Sequence, residues 1–304
     1  MADPTEPVRR AGFVALIGAP NAGKSTLINA LVGAKVSIVT AKVQTTRRLI
    51  RGIAIAGLAQ LIFVDTPGIF APRRRLDRAM VDTAWASTQD ADAVALVIDA
   101  NKGVMDDDEA ILRSLSDVRG PKVLVLNKVD LVEKPALLRL TQTLNERVTF
   151  AATFMISALS GDGVAELKAW FAAHVPAGPW LYPEDQISDA PLRQLAAEIT
   201  REKLYLRLHQ ELPYQSTVET EVWKESKGGA VRIEQTIYVE RESQRKIVLG
   251  KGGRAIKAIG AAARADIAAA IEQPVHLFLH VKVREGWGDD PERYREMGLE
   301  FPKE

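Results

Sequence analysis

The sequence contains no cysteine among its 304 residues, which excludes a disulfide framework and any metal site built on thiolates. It also has no run of about 18 apolar residues, so we expect no transmembrane helix. Residues 1–10 lack the apolar stretch of a secretory signal. The formal net charge is only +1, so charge alone does not indicate a nucleic-acid partner. We therefore expect a soluble, intracellular protein that has two domains by its length.

A phosphate-binding loop is indicated by residues 18–25, which match the pattern G-x-x-x-x-G-K-[ST] at every fixed position. The apolar run at 13–17 predicts a buried strand before it, and apolar residues at helical spacing follow it. Backbone N–H groups of such a loop bind phosphate oxygens, and the helix N-terminus adds positive potential. We expect Lys24 to reach the β- and γ-phosphates and Ser25 to bind Mg²⁺. A glycine-rich turn without a ligand is the alternative.

Polar motifs follow the strands of the first half directly. Apolar strands alternate with helical segments here, which predicts a parallel sheet covered by helices on both faces. Open sheets of this kind bind ligands at the carboxyl ends of their strands. The motif at 65–68, Asp-Thr-Pro-Gly, has the form in which Asp65 holds the Mg²⁺ shell and the Gly68 N–H bonds the γ-phosphate.

The motif at 127–130, Asn-Lys-Val-Asp, discriminates between bases. The Asp130 carboxylate can accept hydrogen bonds from guanine N1–H and from the exocyclic amine, whereas adenine offers no such pair of donors. Asn127 can contact the acceptor side of the base, and the Lys128 stem can lie over the ring plane. Backbone N–H groups at 157–159 can meet guanine O6. The pattern predicts a guanine-nucleotide site, with a P-loop ATPase or kinase as the alternative.

These motifs make residues 14–174 resemble the Ras-like GTPases. The resemblance implies a six-stranded sheet, GTP and Mg²⁺ as ligands, a first switch segment at 42–48 and a second that begins at Asp65. It implies that Thr46 binds the metal ion, with Thr45 as the near alternative.

One position departs from the Ras-like pattern. Ile69 follows Gly68 where Ras-like proteins carry the Gln that orients the attacking water, and Ile has no hydrogen-bonding group. We therefore expect slow intrinsic hydrolysis. Asn21 is similar to an Asn that coordinates K⁺ in a subgroup of GTPases, where the ion offsets transition-state charge.

The resemblance implies a complete set of site residues. The nucleotide contacts are expected at Gly18, Ala19, Pro20, Asn21, Ala22, Gly23, Lys24, Ser25, Thr26, Asp65, Thr66, Pro67, Gly68, Asn127, Lys128, Asp130, Ser157, Ala158 and Leu159. The metal ligands are expected at Ser25, Thr46 and Asp65, and catalytic roles at Lys24, Asn21, Thr46 and Gly68.

A proline-rich break at residues 176–183 predicts a domain boundary. We expect a nucleotide-binding domain over 1–176, a linker over 177–190 and a second domain over 191–304. Asp189 and Pro191 predict a helix start, with Asp189 as its cap. Beyond that point, the pattern predicts helix, strand, strand, helix, helix and strand, which make a small α+β unit.

A glycine loop at 250–253 joins two helical segments of this unit. Glycine lets a backbone approach a nucleic-acid backbone closely, and Lys251 adds positive charge. Residues 241–264 hold seven basic residues against one acid, on a half that carries 19 Lys and Arg against 21 Asp and Glu from residue 177 onward. Such a focused patch indicates a groove, although a helical turn with solvated charge is the alternative. RNA contacts are expected at Gly250, Lys251, Gly252, Gly253, Arg245, Lys246, Arg254 and Lys257.

The second half resembles a type II KH domain, which clamps about four single-stranded nucleotides. A Ras-like GTPase domain with a mostly parallel six-stranded sheet, followed by one small α+β KH domain, resembles the Era family of bacterial GTPases. The similarity extends to the tail at 281–299. It implies that a monomer binds GTP, GDP and the 3′ end of 16S ribosomal RNA in the 30S subunit. It also implies a role in small-subunit maturation and a cytoplasmic location with peripheral contact to the inner membrane. An RNA-binding assembly factor in which nucleotide chiefly supports the fold is the alternative.

Overall fold

The computed structural model describes residues 8–40, 42, 45–208, 216–226, 228–286 and 290–302. The chain forms two compact units. The first comprises Met1–Ser37, Thr46–Asp189 and Gly298–Glu304, and the second comprises Ile38–Thr45 and Ala190–Met297. Within the described ranges, every helix is too short or too polar to span a bilayer.

The first unit alternates strands with helices, as the sequence predicts. Its elements are β1 (Arg10–Ile17), α1 (Lys24–Val32), β2 (Ile50–Ala56), β3 (Ala59–Asp65), α2 (Arg75–Gln89), β4 (Ala93–Asp99), α3 (Asp106–Leu115), β5 (Lys122–Asn127), α4 (Lys134–Arg147), β6 (Ala152–Ile156) and α5 (Val164–His174).

The six strands form one sheet in the order β2-β3-β1-β4-β5-β6. Only β2 runs antiparallel, because a short turn at Gly57 joins it directly to β3. The other strands are parallel, so their carboxyl ends meet at one edge of the sheet. This arrangement confirms the predicted mostly parallel six-stranded sheet.

Helices cover both faces of this sheet, which explains why its strands are continuously apolar. On one face α1 and α5 bury residues such as Leu27, Leu31 and Phe171. On the other face α2, α3 and α4 contribute residues such as Ala84 and Ile111. The two layers position the carboxyl ends of the central strands.

The second unit has the predicted order of helix, strand, strand, helix, helix and strand. Its elements are α6 (Leu192–Arg207), β7 (Ser216–Glu225), β8 (Val231–Val239), α7 (Glu242–Leu249), α8 (Arg254–Ile271), β9 (Val275–Val283) and the short α9 (Pro291–Glu296). The sheet order is β7-β8-β9, in which β8 pairs antiparallel with β7 and parallel with β9. Residues 287–289 of the predicted tail lie outside the described residues.

One face of this smaller sheet packs on α6, α7 and α8 through buried residues such as Ile199, Ile237 and Ile259. Gln235 lies on the same buried face and is fully buried. The Thr200 hydroxyl donates a hydrogen bond of 2.6 Å to its side-chain oxygen, which satisfies the polar group.

The segment before α6 differs from the sequence prediction. The prediction that Asp189 caps the helix is wrong, because α6 begins at Leu192 with Pro191 in the cap position. The Asp189 carboxylate instead accepts a hydrogen bond of 2.9 Å from the Arg51 guanidinium on β2. Residues 177–189 pack within the first unit, where the Gln60 amide on β3 bonds the backbone of Tyr182.

Candidate functional site

The loop between β1 and α1 has a backbone that only glycine can adopt at two positions. Gly18 has a φ of 151°, and a Cβ there would lie 2.3 Å from the Val97 carbonyl oxygen. Gly23 has a φ of 99°, and a Cβ there would lie 2.2 Å from Nδ2 of Asn127. Helix α1 has no acidic residue in its first turn, so its N-terminus keeps its positive potential. The loop therefore suits an anionic ligand.

Lys24 is folded onto this loop. Its ammonium donates hydrogen bonds to the carbonyl oxygens of Gly18 at 2.8 Å and Ala19 at 3.0 Å. Burial lowers the pKa of Lys24 to about 8, although the negative charges of Asp65 and Asp108 act in the opposite direction. A phosphate group beside this ammonium would favour its charged form and raise its pKa again, so the buried lysine suits an anionic ligand.

Three oxygen-bearing side chains meet next to Lys24. The Ser25 hydroxyl donates a hydrogen bond of 2.7 Å to Asp65 Oδ2, and the Thr46 hydroxyl lies 3.3 Å from the same oxygen. The hydroxyl oxygens of Ser25 and Thr46 are 3.0 Å apart. Thr45 points elsewhere, because its hydroxyl contacts the Thr40 hydroxyl and the Lys42 carbonyl. The structure therefore brings Thr46, rather than Thr45, to Asp65.

This cluster has the chemistry of a magnesium site. Asp65 is fully buried, and burial raises the pKa of its carboxyl, opposed chiefly by a hydrogen bond from Ser37 and by the charge of Lys24. Its Oδ1 atom has no hydrogen-bond partner among the described residues. Magnesium prefers oxygen ligands and completes its shell with phosphate oxygens and water. The described residues contain no group of three His, Cys, Asp or Glu side chains that could hold a metal ion instead.

Ser37 and Asn29 belong to this site although the sequence did not single them out. The buried Ser37 hydroxyl donates a hydrogen bond of 2.7 Å to Asp65 Oδ2. Asn29 on α1 fixes the approach of that segment, because its side-chain oxygen accepts bonds of 2.9 Å from the N–H groups of Val36 and Ser37. An Asn four residues after a P-loop serine is the only sequence signal for this arrangement.

The motif at 65–68 packs against the phosphate loop. The Thr66 hydroxyl donates to the Leu16 carbonyl at 2.7 Å, and a Cβ on Gly68 would lie 2.9 Å from the Pro20 ring. The next residue, Ile69, is 4% exposed and packs in the core with its N–H bonded to Gly18. Its side chain lies in the core, which agrees with the expectation that it does not orient water.

Asn127 joins three loops from the end of β5. Its Nδ2 donates to the Ala22 carbonyl at 2.9 Å, and its Oδ1 accepts from the N–H groups of Lys128 at 2.9 Å and Ala158 at 3.0 Å. The side chain is only 2% exposed. These contacts hold the phosphate loop beside the loop at 157–159. Nδ2 carries a second N–H, which the predicted contact with the base would use.

Lys128 continues this connection in the left-handed conformation, with a φ of 66°. Its ammonium donates to the Asn21 carbonyl at 2.8 Å and forms an ion pair of 2.6 Å with Asp99. Asp99 ends β4 at the same sheet edge as the other motifs. Its position at the end of a strand was the sequence feature that could have indicated it as a site residue. Asp130 lies in a 3-10 turn beyond Lys128 with its carboxylate exposed.

The loop after β6 is a tight turn. The Ser157 N–H donates to the Asp162 carbonyl at 3.0 Å, and the Ser160 N–H donates to the Ser157 hydroxyl at 3.3 Å. Leu159 projects from the turn and is 86% exposed. The turn therefore presents its backbone on the same edge of the sheet as Asp130.

The glycine loop of the second unit lies between α7 and α8. Gly250, Gly252 and Gly253 all have positive φ values, of 70°, 62° and 75°. A Cβ on Gly250 would lie 2.7 Å from the Ala255 Cβ, whereas a Cβ on Gly252 would meet no atom within 4 Å. The loop is therefore a narrow backbone ridge that a nucleic-acid backbone can approach.

The predicted cations around this loop divide into two groups. The exposed ones are Lys246, Lys251, Arg254 and Lys257. Arg245 is partly engaged within the unit, because it donates to the Val281 carbonyl at 3.2 Å and pairs with Glu242 at 2.9 Å. Ile247 was not predicted as a contact, yet it is 55% exposed on α7 close to the loop in sequence.

Comparison with known families matches each half of the chain. A model of the 50S ribosome-binding GTPase family matches residues 13–128, and a model of the KH domain matches residues 211–288. A protein named GTPase Era from Afipia carboxidovorans is 69% identical over 295 residues, which cover 97% of this chain and 96% of that protein. Another from Rhizobium meliloti is 68% identical over 97% of this chain and 94% of its own.

Two solved structures resemble the whole chain. One is Era in complex with MgGDPNP and nucleotides 1506–1542 of 16S ribosomal RNA. The other is an Aquifex aeolicus Era variant bound to GDP and AlF4⁻. Each is 37% identical to this chain with a TM-score of 0.90, and the match covers 95% of this chain and 99% of the other.

Proposed function

The chain belongs to the Era family of GTPases, and we propose that its GTP cycle controls binding to the 3′ end of 16S ribosomal RNA during maturation of the small ribosomal subunit. As a GTPase, it converts GTP and water to GDP and phosphate. The observation that carries the proposal is the presence on one chain of a phosphate and base site and of an exposed cationic glycine loop. The relative solved with both MgGDPNP and 16S ribosomal RNA supports it.

We assign the nucleotide site to the first unit and the RNA site to the second. The predicted domains at 1–176 and 191–304 carry these two sites, and residues 177–190 join them. The nucleotide contacts remain those predicted from the sequence. Within them, Asp130 accepts from the guanine edge, Lys24 neutralises the β- and γ-phosphates, and the Gly68 N–H bonds the γ-phosphate.

Ser25, Thr46 and Asp65 are the residues that would hold Mg²⁺. When bound, the ion offsets negative charge on the phosphate oxygens and fixes their geometry. Thr46 lies in a segment whose described residues from 34 to 49 form neither helix nor strand, which leaves this ligand free to respond to the γ-phosphate.

Asn21 is our candidate for a residue that helps to offset negative charge in the transition state. It occupies the left-handed region with a φ of 64°, where Asn is better tolerated than most residues. Because Asn21 belongs to the phosphate loop, we propose that its side chain would lie near the bound phosphates and help to bind K⁺ there. A monovalent cation at this point would supply positive charge to the transition state, as an arginine finger does.

If Asn21 helps to bind K⁺ specifically, GTP hydrolysis is expected to be at least about tenfold faster in KCl than in NaCl, because the bound ion adds positive charge to the transition state. The Asn21→Gly variant should lose that difference, since glycine keeps the backbone conformation but removes the side-chain oxygen. Single-turnover rates in the two salts test this, with GDP affinity measured as a control for an intact site. Equal rates for the wild-type protein in both salts would exclude the potassium role.

The glycine loop is our candidate for RNA contact. Its exposed cations Lys246, Lys251, Arg254 and Lys257 can neutralise phosphates, and the glycine backbone allows close approach. Exposed Ile247 offers an apolar contact for an unstacked base. This combination favours a single-stranded segment over a duplex.

Crosslinking to cellular RNA, followed by sequencing of the bound fragments, tests this function. We expect fragments from the 3′ end of 16S ribosomal RNA, and at least about tenfold fewer of them with Gly252→Asp, because the new carboxylate repels phosphate. Gly229→Asp is the matched control: Gly229 also has positive φ and open space, and it lies between β7 and β8 of the same unit. Enrichment of unrelated RNA, or equal losses with both variants, would contradict the proposal.

A second candidate function is that of an RNA-binding assembly factor in which the nucleotide chiefly supports the fold. The carbonyl and amide contacts that join the phosphate loop to Asn127 and Lys128 favour it, because a bound nucleotide would stabilise these loops. A hydrolysis-deficient variant that binds GTP and still supports subunit maturation in cells would favour this second function.

The remaining family features are proposals that rest on the resemblance. We propose that the chain is a monomer and makes peripheral contact with the inner membrane from the cytoplasm. Sedimentation equilibrium tests the first point, and co-flotation with anionic lipid vesicles tests the second.

A further inference from the structure

The two carboxylate oxygens of Asp65 have different surroundings. Oδ2 accepts hydrogen bonds of 2.7 Å from the Ser25 and Ser37 hydroxyls, and the Thr46 hydroxyl lies 3.3 Å from the same atom. Oδ1 is buried and has no hydrogen-bond partner among the described residues. A buried carboxylate oxygen without a partner costs free energy unless a ligand satisfies it. One oxygen of Asp65 is therefore occupied within the protein, and the other is available.

Ser37 differs from the two other hydroxyls around Oδ2. Ser25 and Thr46 are the residues proposed to hold Mg²⁺, so their hydroxyl oxygens would also serve the ion. Ser37 is not one of those ligands, and it is only 1% exposed, so water does not compete for its hydroxyl. Its bond can therefore hold the Asp65 carboxylate in the same way before and after the ion binds.

Ser37 is in turn fixed by Asn29 on helix α1. The Asn29 Oδ1 atom accepts bonds of 2.9 Å from the N–H groups of Val36 and Ser37, and its Nδ2 donates to the Ser37 carbonyl at 2.8 Å. Residues 34–37 form neither helix nor strand, so these side-chain bonds satisfy backbone groups that no ladder pairs. Helix α1 also carries Ser25, and all of these residues lie within the first compact unit. One helix thus positions two of the three hydroxyls.

We propose that Ser37 is a positioning residue for Mg²⁺. It holds the Asp65 carboxylate by Oδ2 and leaves Oδ1 for the shell of the ion, and Asn29 fixes Ser37 for this role. The inference rests on the proposed function, because it takes Ser25, Thr46 and Asp65 as the residues that hold Mg²⁺ with the nucleotide. Removing the hydrogen-bond partner of a metal-binding carboxylate typically lowers metal affinity by about 10- to 100-fold.

The test measures how Mg²⁺ slows the dissociation of fluorescent GDP from the full chain. Ser37→Ala is expected to raise the Mg²⁺ concentration that gives half of this effect by about tenfold, because the Asp65 carboxylate loses a bond that orients it. In EDTA, without Mg²⁺, the dissociation rate should stay close to that of the wild type, since Ser37 acts only through the metal site. Ser37→Thr keeps the hydroxyl and should recover part of the loss.

Asn29→Ala tests the second link. It should raise the required Mg²⁺ concentration in the same direction, and the double variant with Ser37→Ala should equal Ser37→Ala alone, because Asn29 acts through Ser37. A fluorescent non-hydrolysable GTP analogue should show the same shift as GDP in Ser37→Ala, because the Ser37 bond does not involve the γ-phosphate. If Ser37→Ala does not fold, Asn29→Ala carries the same measurement.

Thr88→Val is the matched control. Thr88 on α2 is also buried, and its hydroxyl donates a hydrogen bond of 2.7 Å to the Trp85 carbonyl. The substitution removes one buried hydroxyl from the same unit, as Ser37→Ala does. Both variants are expected to lower the melting temperature, but only Ser37→Ala should change the required Mg²⁺ concentration. An equal change in both would show a general loss of stability and overturn the positioning role.

Asp65→Ala distinguishes the possible failures. If this variant leaves the Mg²⁺ effect on GDP dissociation unchanged, the metal assignment in the proposed function fails and the inference fails with it. If Asp65→Ala weakens the Mg²⁺ effect but Ser37→Ala keeps the half-effective Mg²⁺ concentration within about twofold of the wild type, the metal assignment stands and the positioning role is overturned.

Discussion

Replacing Asp130 by Asn is expected to weaken GDP and GTP binding by about two to three orders of magnitude, because two charge-assisted hydrogen bonds to guanine are lost. The carboxylate accepts from both N1–H and the exocyclic amine, and an amide can accept from only one of them while its NH2 group faces a donor. Xanthine carries a carbonyl oxygen in place of that amine, so the same variant should gain affinity for xanthosine diphosphate. Titration with fluorescent GDP, ADP and xanthosine diphosphate measures all three.

Asp162→Asn is the matched control for this substitution. Asp162 is exposed and lies in the neighbouring turn after β6, so the variant makes the same change of charge close to the site. It should leave GDP affinity within about twofold, since its carbonyl and not its side chain bonds Ser157. If Asp130→Asn binds GDP as tightly as the wild type, the P-loop ATPase or kinase interpretation returns.

Replacing Gly23 by Ala is expected to reduce nucleotide affinity by at least about a hundredfold, because a Cβ would lie 2.2 Å from Asn127 Nδ2. Asn127 has to move to make room, and its bonds to Ala22 and Ala158 are then lost. The phosphate loop and the base loop would no longer be joined. Isothermal titration with GDP in Mg²⁺ measures the loss.

Gly33→Ala separates this effect from ordinary glycine strain. Gly33 ends the same helix α1 with a φ of 83°, but a Cβ there meets nothing within 4 Å. Its substitution should cost about 1 kcal/mol of unfolding free energy, which thermal melting detects, and leave GDP affinity within about twofold. Equal losses of GDP affinity in the two variants would refute the specific role of the Gly23 contact with Asn127.

Much of the nucleotide site was predictable from the sequence because its signals are local. A strand, a glycine loop and a helix follow one another between residues 10 and 32. The glycines of that loop indicate its backbone geometry, because Gly18 and Gly23 adopt positive φ values. The end of a parallel strand also predicts where Asp65 and Asn127 lie, since all such ends meet at one edge. The same logic would have found Asp99.

The contacts that the sequence did not reveal join residues far apart in the chain. Nothing in the sequence around Val39 and Thr45 indicates that these two residues contact α6, because their partners Glu202 and Arg201 lie more than 150 positions later. A polar segment without periodicity looks the same whether its partners are water or a distant helix. Local patterns therefore predict a switch segment at 42–48 but not the distant residue that contacts Thr45.

Asp189 shows a second limit. Its residue type and position suit a helix cap, yet its side chain bonds Arg51 on β2 instead. Short polar side chains can bond several partners of similar energy, and the tertiary fold decides between them. Residue type predicted that the Asp189 carboxylate would be engaged, but not with which partner.

The most direct measurement is the affinity for an oligonucleotide with the 3′-end sequence of 16S ribosomal RNA, in the GTP-analogue state and in the GDP state. If the GTP cycle controls RNA binding, the GTP-analogue state should bind about tenfold more tightly, a typical coupling between two sites. Gly252→Asp should bind weakly in both states, while Gly229→Asp should retain the difference. RNA affinities that agree within about twofold in the two nucleotide states would show that the sites are uncoupled, and the chain would not be a switch.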